Sequence, residues 1–91
     1  MFALVATEHF LRRARKFLKR HPDLQERFKR TLDQLAEDPF VPPLAYHHLG
    51  GNLKGLQAVR ITDSYRITLT VVMSKQEIVL LDVGSQDEVY R

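Results

Sequence analysis

Arg60 and Arg66 flank a Thr62-Asp63-Ser64 break in a run of β-branched and aromatic residues. A three-residue turn there puts Arg60 opposite Arg66 on one face of a hairpin, with Val59, Ile61, Tyr65, Ile67, Leu69 and Val71 on the other. A two-residue turn would mix arginines into the apolar face. Two guanidinium groups side by side repel unless something anionic lies between them, and their planar donor forks suit phosphate oxygens. Asp82, Asp87 and Glu88 further along the chain are acids that can neutralise them instead. Lys54 extends the same polar face, together with Thr68 and Thr70. His47 and His48 lie just upstream. Histidine is the usual general acid or base near neutral pH, although a loop histidine also reads simply as an exposed side chain. Tyr90 is the penultimate residue. A phenol folded back beside two cations ionises more easily and can exchange a proton.

Other chemistries find no residues. There is no cysteine, so disulfides, thiol nucleophiles and thiolate zinc sites are excluded. No two histidines stand at the i, i+4 spacing of a helical metal site. No GxxxxGK[ST], GxGxxG or GxSxG is present, and Ser64, Ser74 and Ser85 have no neighbouring histidine. The strand aromatics alternate into the core, which gives weak support to a base-stacking platform.

These residues need a scaffold. Ninety-one residues with 44% hydrophobic and 27% charged content suit one two-layer domain, residues 1–91. No apolar run approaches the ~18 residues of a membrane span, and the opening Met1–Ala6 reads as a first buried strand, Phe2–Ala6, not as a signal peptide. The absence of cysteine is compatible with a reducing cytoplasm. All of the net charge of +3 lies in the first 38 residues. Thr7 can cap a helix, and Phe10, Leu11, Ala14, Phe17 and Leu18 form one apolar stripe at helical spacing. Arg12, Arg13, Arg15, Lys16, Lys19 and Arg20 fall on the opposite side. Such a face fits an anionic partner, and equally a solvated helix surface. Pro22 ends this helix and opens a second, with Asp23-x-x-Glu26 resembling a capping box and Leu24, Phe28, Leu32 and Leu35 as its stripe. Asp38-Pro39 closes it, and Pro39 to Asn52 reads as a loop.

Leu53–Ile61, Tyr65–Met73 and Glu77–Val83 read as strands, with a hairpin at Ser74-Lys75-Gln76. The order is β-α-α-β-β-β: an α+β fold in which an antiparallel sheet carries a helical hairpin on one face. The other face is left open for a polar site.

Several short stretches together carry a family likeness. His47-His48-Leu49-Gly50-Gly51-Asn52-Leu53-Lys54-Gly55, Val59-Arg60-Ile61, Tyr65-Arg66-Ile67 and Val83-Gly84-Ser85-Gln86-Asp87-Glu88-Val89-Tyr90 resemble the RelE/ParE superfamily of bacterial type II toxins, most closely its RelE and YafQ branches. Each motif is moderately specific; their order and spacing over the whole chain are more so.

The resemblance implies a RelE-like fold and a ribosome-dependent mRNA interferase, working in the cytoplasm and silenced by an antitoxin protein. It implies cleavage by the ribose 2′-OH in the ribosomal A site, with no metal or cofactor. On that likeness Arg60 and Arg66 match basic strand positions, Lys54 the Lys-Gly position, His47 a loop histidine of the YafQ branch and Tyr90 the terminal tyrosine of the RelE branch. Arg12, Arg15, Lys16 and Lys19 become a surface for ribosomal RNA. The chain departs from the pattern at Gln86, where relatives commonly have histidine, lysine or arginine. Glutamine can donate a hydrogen bond to RNA but cannot shuttle a proton. Either His47 and Tyr90 share the acid/base work, or cleavage is slow or absent. Two other readings share the fold: a ParE-like poison of DNA gyrase, and an inactive relative that only binds its antitoxin.

Overall fold

The computed structural model describes residues 1–89. The chain opens with β1 (Ala3–Ala6) and turns at once into α1 (Glu8–Arg20). Thr7 makes that turn. Its hydroxyl accepts from the Phe10 amide at 3.1 Å and donates to the Leu80 carbonyl at 3.0 Å. One residue therefore caps the helix, as expected, and ties its start to a distant strand. α1 buries Phe10, Ala14 and Phe17.

Pro22–Leu24 form a single tight 3-10 turn before α2 (Gln25–Glu37), which buries Phe28, Thr31 and Leu35. The capping box expected at Asp23 and Glu26 does not form. Leu24 holds the N-cap position without a side-chain bond, because Pro22 draws Asp23 into the preceding turn. The Phe28 ring lies 6.3 Å from Phe10 and 6.0 Å from Phe17, which locks the two helices together through their apolar stripes.

The stretch read as a loop holds more structure than expected. It contains 3-10 turns at Pro42–Leu44 and Gly51–Leu53 and a two-residue strand, β2 (His47–His48). Then follow β3 (Gln57–Arg60), β4 (Tyr65–Val72), β5 (Glu77–Ser85) and a one-turn helix, α3 (Gln86–Val89). The sheet order is β1-β5-β4-β3-β2.

The fold class is the one expected, with the helical hairpin on an open sheet. Two details differ. β1 pairs parallel to β5, so the sheet is mixed. This strand is also an edge strand with Ala3, Val5 and Ala6 exposed, and is not buried. It runs directly into α1 and not into a hairpin, and it takes the side of β5 that β4 leaves free. The core lies between hairpin and sheet: Leu35, Val59, Ile67, Leu69 and Ile78 are all at 0% exposure. β5 carries one extra residue, Leu81, because Thr68 pairs with Asp82 and Leu69 with Leu80. This bulge bends the strand beside the polar face. Among the described residues no helix is long and apolar enough to cross a membrane.

Candidate functional site

The turn at 62–64 sets the register. Arg60 pairs with Arg66, Val59 with Ile67 and Ala58 with Thr68. β2 adds His47 opposite Ala58, and β5 adds Gly84 opposite Arg66. Since paired residues share a face and alternate residues return to it, His47, Ala58, Arg60, Arg66, Thr68 and Gly84 lie on the side away from the core. Ala58 and Thr68 form its buried floor. The Thr68 hydroxyl is buried there and has no hydrogen-bond partner among the described residues.

Both arginines bend toward the turn between them. Arg60 Nη1 lies 3.1 Å from Asp63 Oδ1, and Asp63 is almost fully exposed. Arg66 Nη1 donates to the carbonyls of Thr62, Tyr65 (3.2 Å) and Asp63 (3.3 Å). Among the described residues every bond of Arg66 runs through that one nitrogen, and Nε and Nη2 are donors that a phosphate could take. Two of the three acids considered as partners for this pair are engaged elsewhere, and Asp87 makes no ion pair with either arginine among the described residues. Asp82 and Glu88 both bind Arg13 of α1, at 3.0 and 3.4 Å.

Arg13 thus leaves the outward cationic face on which the helical spacing put it. Arg12, Arg15 and Lys19 remain exposed there. Lys16 sits at its margin, where with Arg13, Arg20 and Glu88 it lines a groove of about 120 Å³ between α1 and the end of β5.

Lys54 does not share the arginine face. It stands in a turn before β3, because the strand starts at Gln57 and not at Leu53. His47 is exposed on the edge strand β2, with Nδ1 2.9 Å from the Ala45 carbonyl. Ala45 has the left-handed backbone (φ 50°) that brings the chain back onto β3. Gln86 begins α3 and is exposed. Tyr90 lies outside the described residues.

A cap missed in the sequence holds α3. The Ser85 amide donates to Glu88 Oε1 (3.0 Å), and the Glu88 amide donates to Ser85 Oγ (3.3 Å). This is the reciprocal Ser-x-x-Glu box, legible at Ser85-Gln86-Asp87-Glu88. The bonds from Ser85, with Arg13 and then Arg20 nearby, hold the Glu88 carboxyl below its ordinary range. Also missed were an aromatic file on the β2 side, with Tyr46 4.9 Å from Phe40 and 5.6 Å from His48, and Arg27, whose Nε donates to the Ile61 carbonyl at 3.1 Å. Burial pushes the Tyr46 phenol up. Among the described residues no three His, Asp or Glu side chains gather where they could hold a metal ion.

The sequence model of a family described as the ParE toxin of type II toxin-antitoxin system, parDE, matches residues 8–90. No curated protein matches the chain. Among solved structures, YafQ from E. coli strain BL21(DE3) superposes with a TM-score of 0.82 over 100% of both chains, at 15% identity. YafQ in the E. coli DinJ-YafQ complex gives 0.81 at 14% identity, again over 100% of both chains. The YoeB/ParE toxin from Agrobacterium tumefaciens gives 0.75 at 21% identity, over 93% of this chain and 99% of that one. At these identities the likeness concerns the fold.

Proposed function

This chain belongs to the ParE toxin family of type II toxin-antitoxin systems, and from that premise we propose that it is an endoribonuclease that cleaves mRNA on the ribosome and is silenced by a cognate antitoxin. The observation that carries this reading is the pairing of Arg60 with Arg66 on a sheet face that also receives His47 by register. Such a face offers guanidinium donors to a phosphate and an imidazole beside them.

In the proposed reaction the ribose 2′-oxygen attacks the adjacent phosphorus, and its proton passes to a base. A P–O2′ bond forms and the P–O5′ bond breaks. The departing 5′-oxygen takes a proton, leaving a 2′,3′-cyclic phosphate and a 5′-hydroxyl. Arg66, through Nε and Nη2, and Arg60 hold the negative charge that grows on the phosphate oxygens, where preorganised donors act most strongly. His47 and Tyr90 exchange the protons. Lys54, from the turn before β3, and Gln86 contact the RNA. The exposed residues Arg12, Arg15, Lys16 and Lys19 meet ribosomal RNA.

An antitoxin partner is supported by the complex in which YafQ pairs with DinJ. An acidic segment with an apolar stripe suits the arginine face. The match to a ParE family model favours a second reading, poisoning of DNA gyrase without cleavage. Primer extension on message from expressing cells, beside a gyrase supercoiling assay, separates the two. Discrete message cleavage that vanishes in Arg66→Ala supports the nuclease. Intact message with blocked supercoiling supports the gyrase poison.

A further inference from the structure

Arg60 takes part in a second feature that the sheet face does not account for. β2 covers β3 only at Gln57 and Ala58, so beyond Ala58 the strand edge is open toward α2. There Arg60, Arg27 and Arg30 line one groove of about 270 Å³, closed by Thr31, Gln34 and Pro43. Arg27 and Arg30 stand at i and i+3 on α2 and so project from one side of that helix.

The groove is strongly cationic and poorly neutralised. Arg27 spends Nε on the Ile61 carbonyl, a bond that positions the side chain without cancelling its charge. Neither Arg27 nor Arg30 makes an ion pair among the described residues. Among the described residues Arg60 pairs only with Asp63, whose side chain is 95% exposed; such a pair is worth little and exchanges readily. Thr31, which could have offered an acceptor, turns its hydroxyl to the Arg27 carbonyl at 2.9 Å. Glu26 and Asp33 share a neighbouring depression with Lys29 and Arg30, whereas among the described residues no acid lines the groove itself. Three arginines lining a shallow cleft suit the oxygens of an anion, and phosphate in particular.

We propose that the Arg27–Arg30–Arg60 groove is a second binding site for the phosphate backbone of single-stranded RNA, separate from the Arg66 face and doing no chemistry. This rests on the RNA-cleaving reading above for its choice of anion. Arg60 links the two places. Its backbone is paired with Arg66 and the same residue lines the groove, so a strand lying across the sheet face leads over the β3 edge toward α2. The groove then holds the RNA on one side of the reacting phosphate and contributes affinity without sequence preference.

The test uses Arg30→Glu and the double variant Arg27→Ala/Arg30→Ala in the full chain, with thermal melts alongside. Among the described residues Arg30 makes no side-chain hydrogen bond or ion pair, so Arg30→Glu stands as the clean variant if Arg27→Ala loosens the Ile61 contact. The probe is a mixed-sequence RNA oligonucleotide with 2′-O-methyl riboses, which lacks the nucleophile and so reports binding alone. Affinity is read by fluorescence anisotropy over a series of salt concentrations, with poly-glutamate as a second probe. Both variants should bind the RNA severalfold more weakly. The salt slope of the double variant should fall by about 0.7 per cation removed. Unchanged RNA affinity and slope, or a wild-type protein that binds no RNA, overturns the proposal. So does loss of poly-glutamate binding alone, which would make the groove a dock for an acidic protein segment. A wild-type protein that binds this RNA through the groove but cleaves no message leaves the inference standing and removes the nuclease reading.

Discussion

Gly84 lies directly beneath Glu88: a Cβ on Gly84 would stand 3.1 Å from Glu88 Oε1 and 3.4 Å from Glu88 Cβ, with Arg13 Nη2 at 3.0 Å. The missing side chain is what lets α3 fold back on the strand that leads into it and lets Arg13 reach both Asp82 and Glu88. The two crowding atoms nearest the Cβ are ends of partly exposed side chains and can give way by a few tenths of an ångström. Gly84→Ala should therefore leave the melting temperature nearly unchanged while loosening the 86–89 segment. Gly84→Val should displace that segment altogether. Amide exchange at residues 86–89, compared with that of β4, checks both. Equal protection of 86–89 in all three proteins would mean that the close approach does not matter.

Arg66 has a structural duty besides the proposed chemical one. Its guanidinium holds three carbonyls of the 62–65 turn, so truncation removes hydrogen bonds as well as charge. We expect Arg66→Ala to cost about 1–2 kcal/mol of stability, in the range of bonds made by charged donors at a part-exposed site. It should lower single-turnover cleavage on programmed ribosomes by on the order of 10²–10³. The two effects separate at a temperature well below both melting points. A variant that cleaves at the wild-type rate there places the site elsewhere. Tyr90→Phe should fall between the two, and Gln86→His should leave cleavage unchanged or raise it.

The lowered Glu88 carboxyl predicts a pH response confined to the chain's C-terminal end. The Ser85 amide and hydroxyl favour the ionised form, and Arg13 adds to them. A folded-state value below the unfolded one stabilises α3 at pH above the ordinary glutamate range. That contribution is lost as pH falls through the lowered value. The NMR signal of the Ser85 amide should titrate with a midpoint below that of a free glutamate, and the titration should be absent in Glu88→Gln. A midpoint at or above the ordinary value would contradict the capping geometry.

The outward face of α1 should act through charge alone. Arg12, Arg15 and Lys19 are exposed and outside the Arg13 network. Changing all three to glutamate should leave the fold intact by circular dichroism while weakening ribosome binding and flattening its salt dependence. Unchanged binding would make this face a solvated surface.

What the sequence by itself determined is the local and periodic part. The stripes of Phe10, Ala14 and Phe17 and of Phe28 and Leu35 fix two helices, because burial at a 3.6-residue period has one solution. The length of the Thr62–Ser64 turn fixes the Arg60–Arg66 pairing, because a slip of one residue would turn Ile61 and Ile67 out of the core. Thr7 is a cap in sequence and in structure alike. Tertiary structure decided what depends on contacts far apart in the chain. Arg13 was indistinguishable from Arg12 along the helix until β5 brought Asp82 to it across 69 residues. The parallel pairing of β1, the short strand at His47–His48 and the meeting of Arg60 with Arg27 and Arg30 follow from which edges the packed layers leave free. A charged side chain carries no periodic signal of its partner. Its partner is chosen by the geometry of elements that are themselves held by the apolar core, so the site's framework was legible before folding and its electrostatic wiring was not.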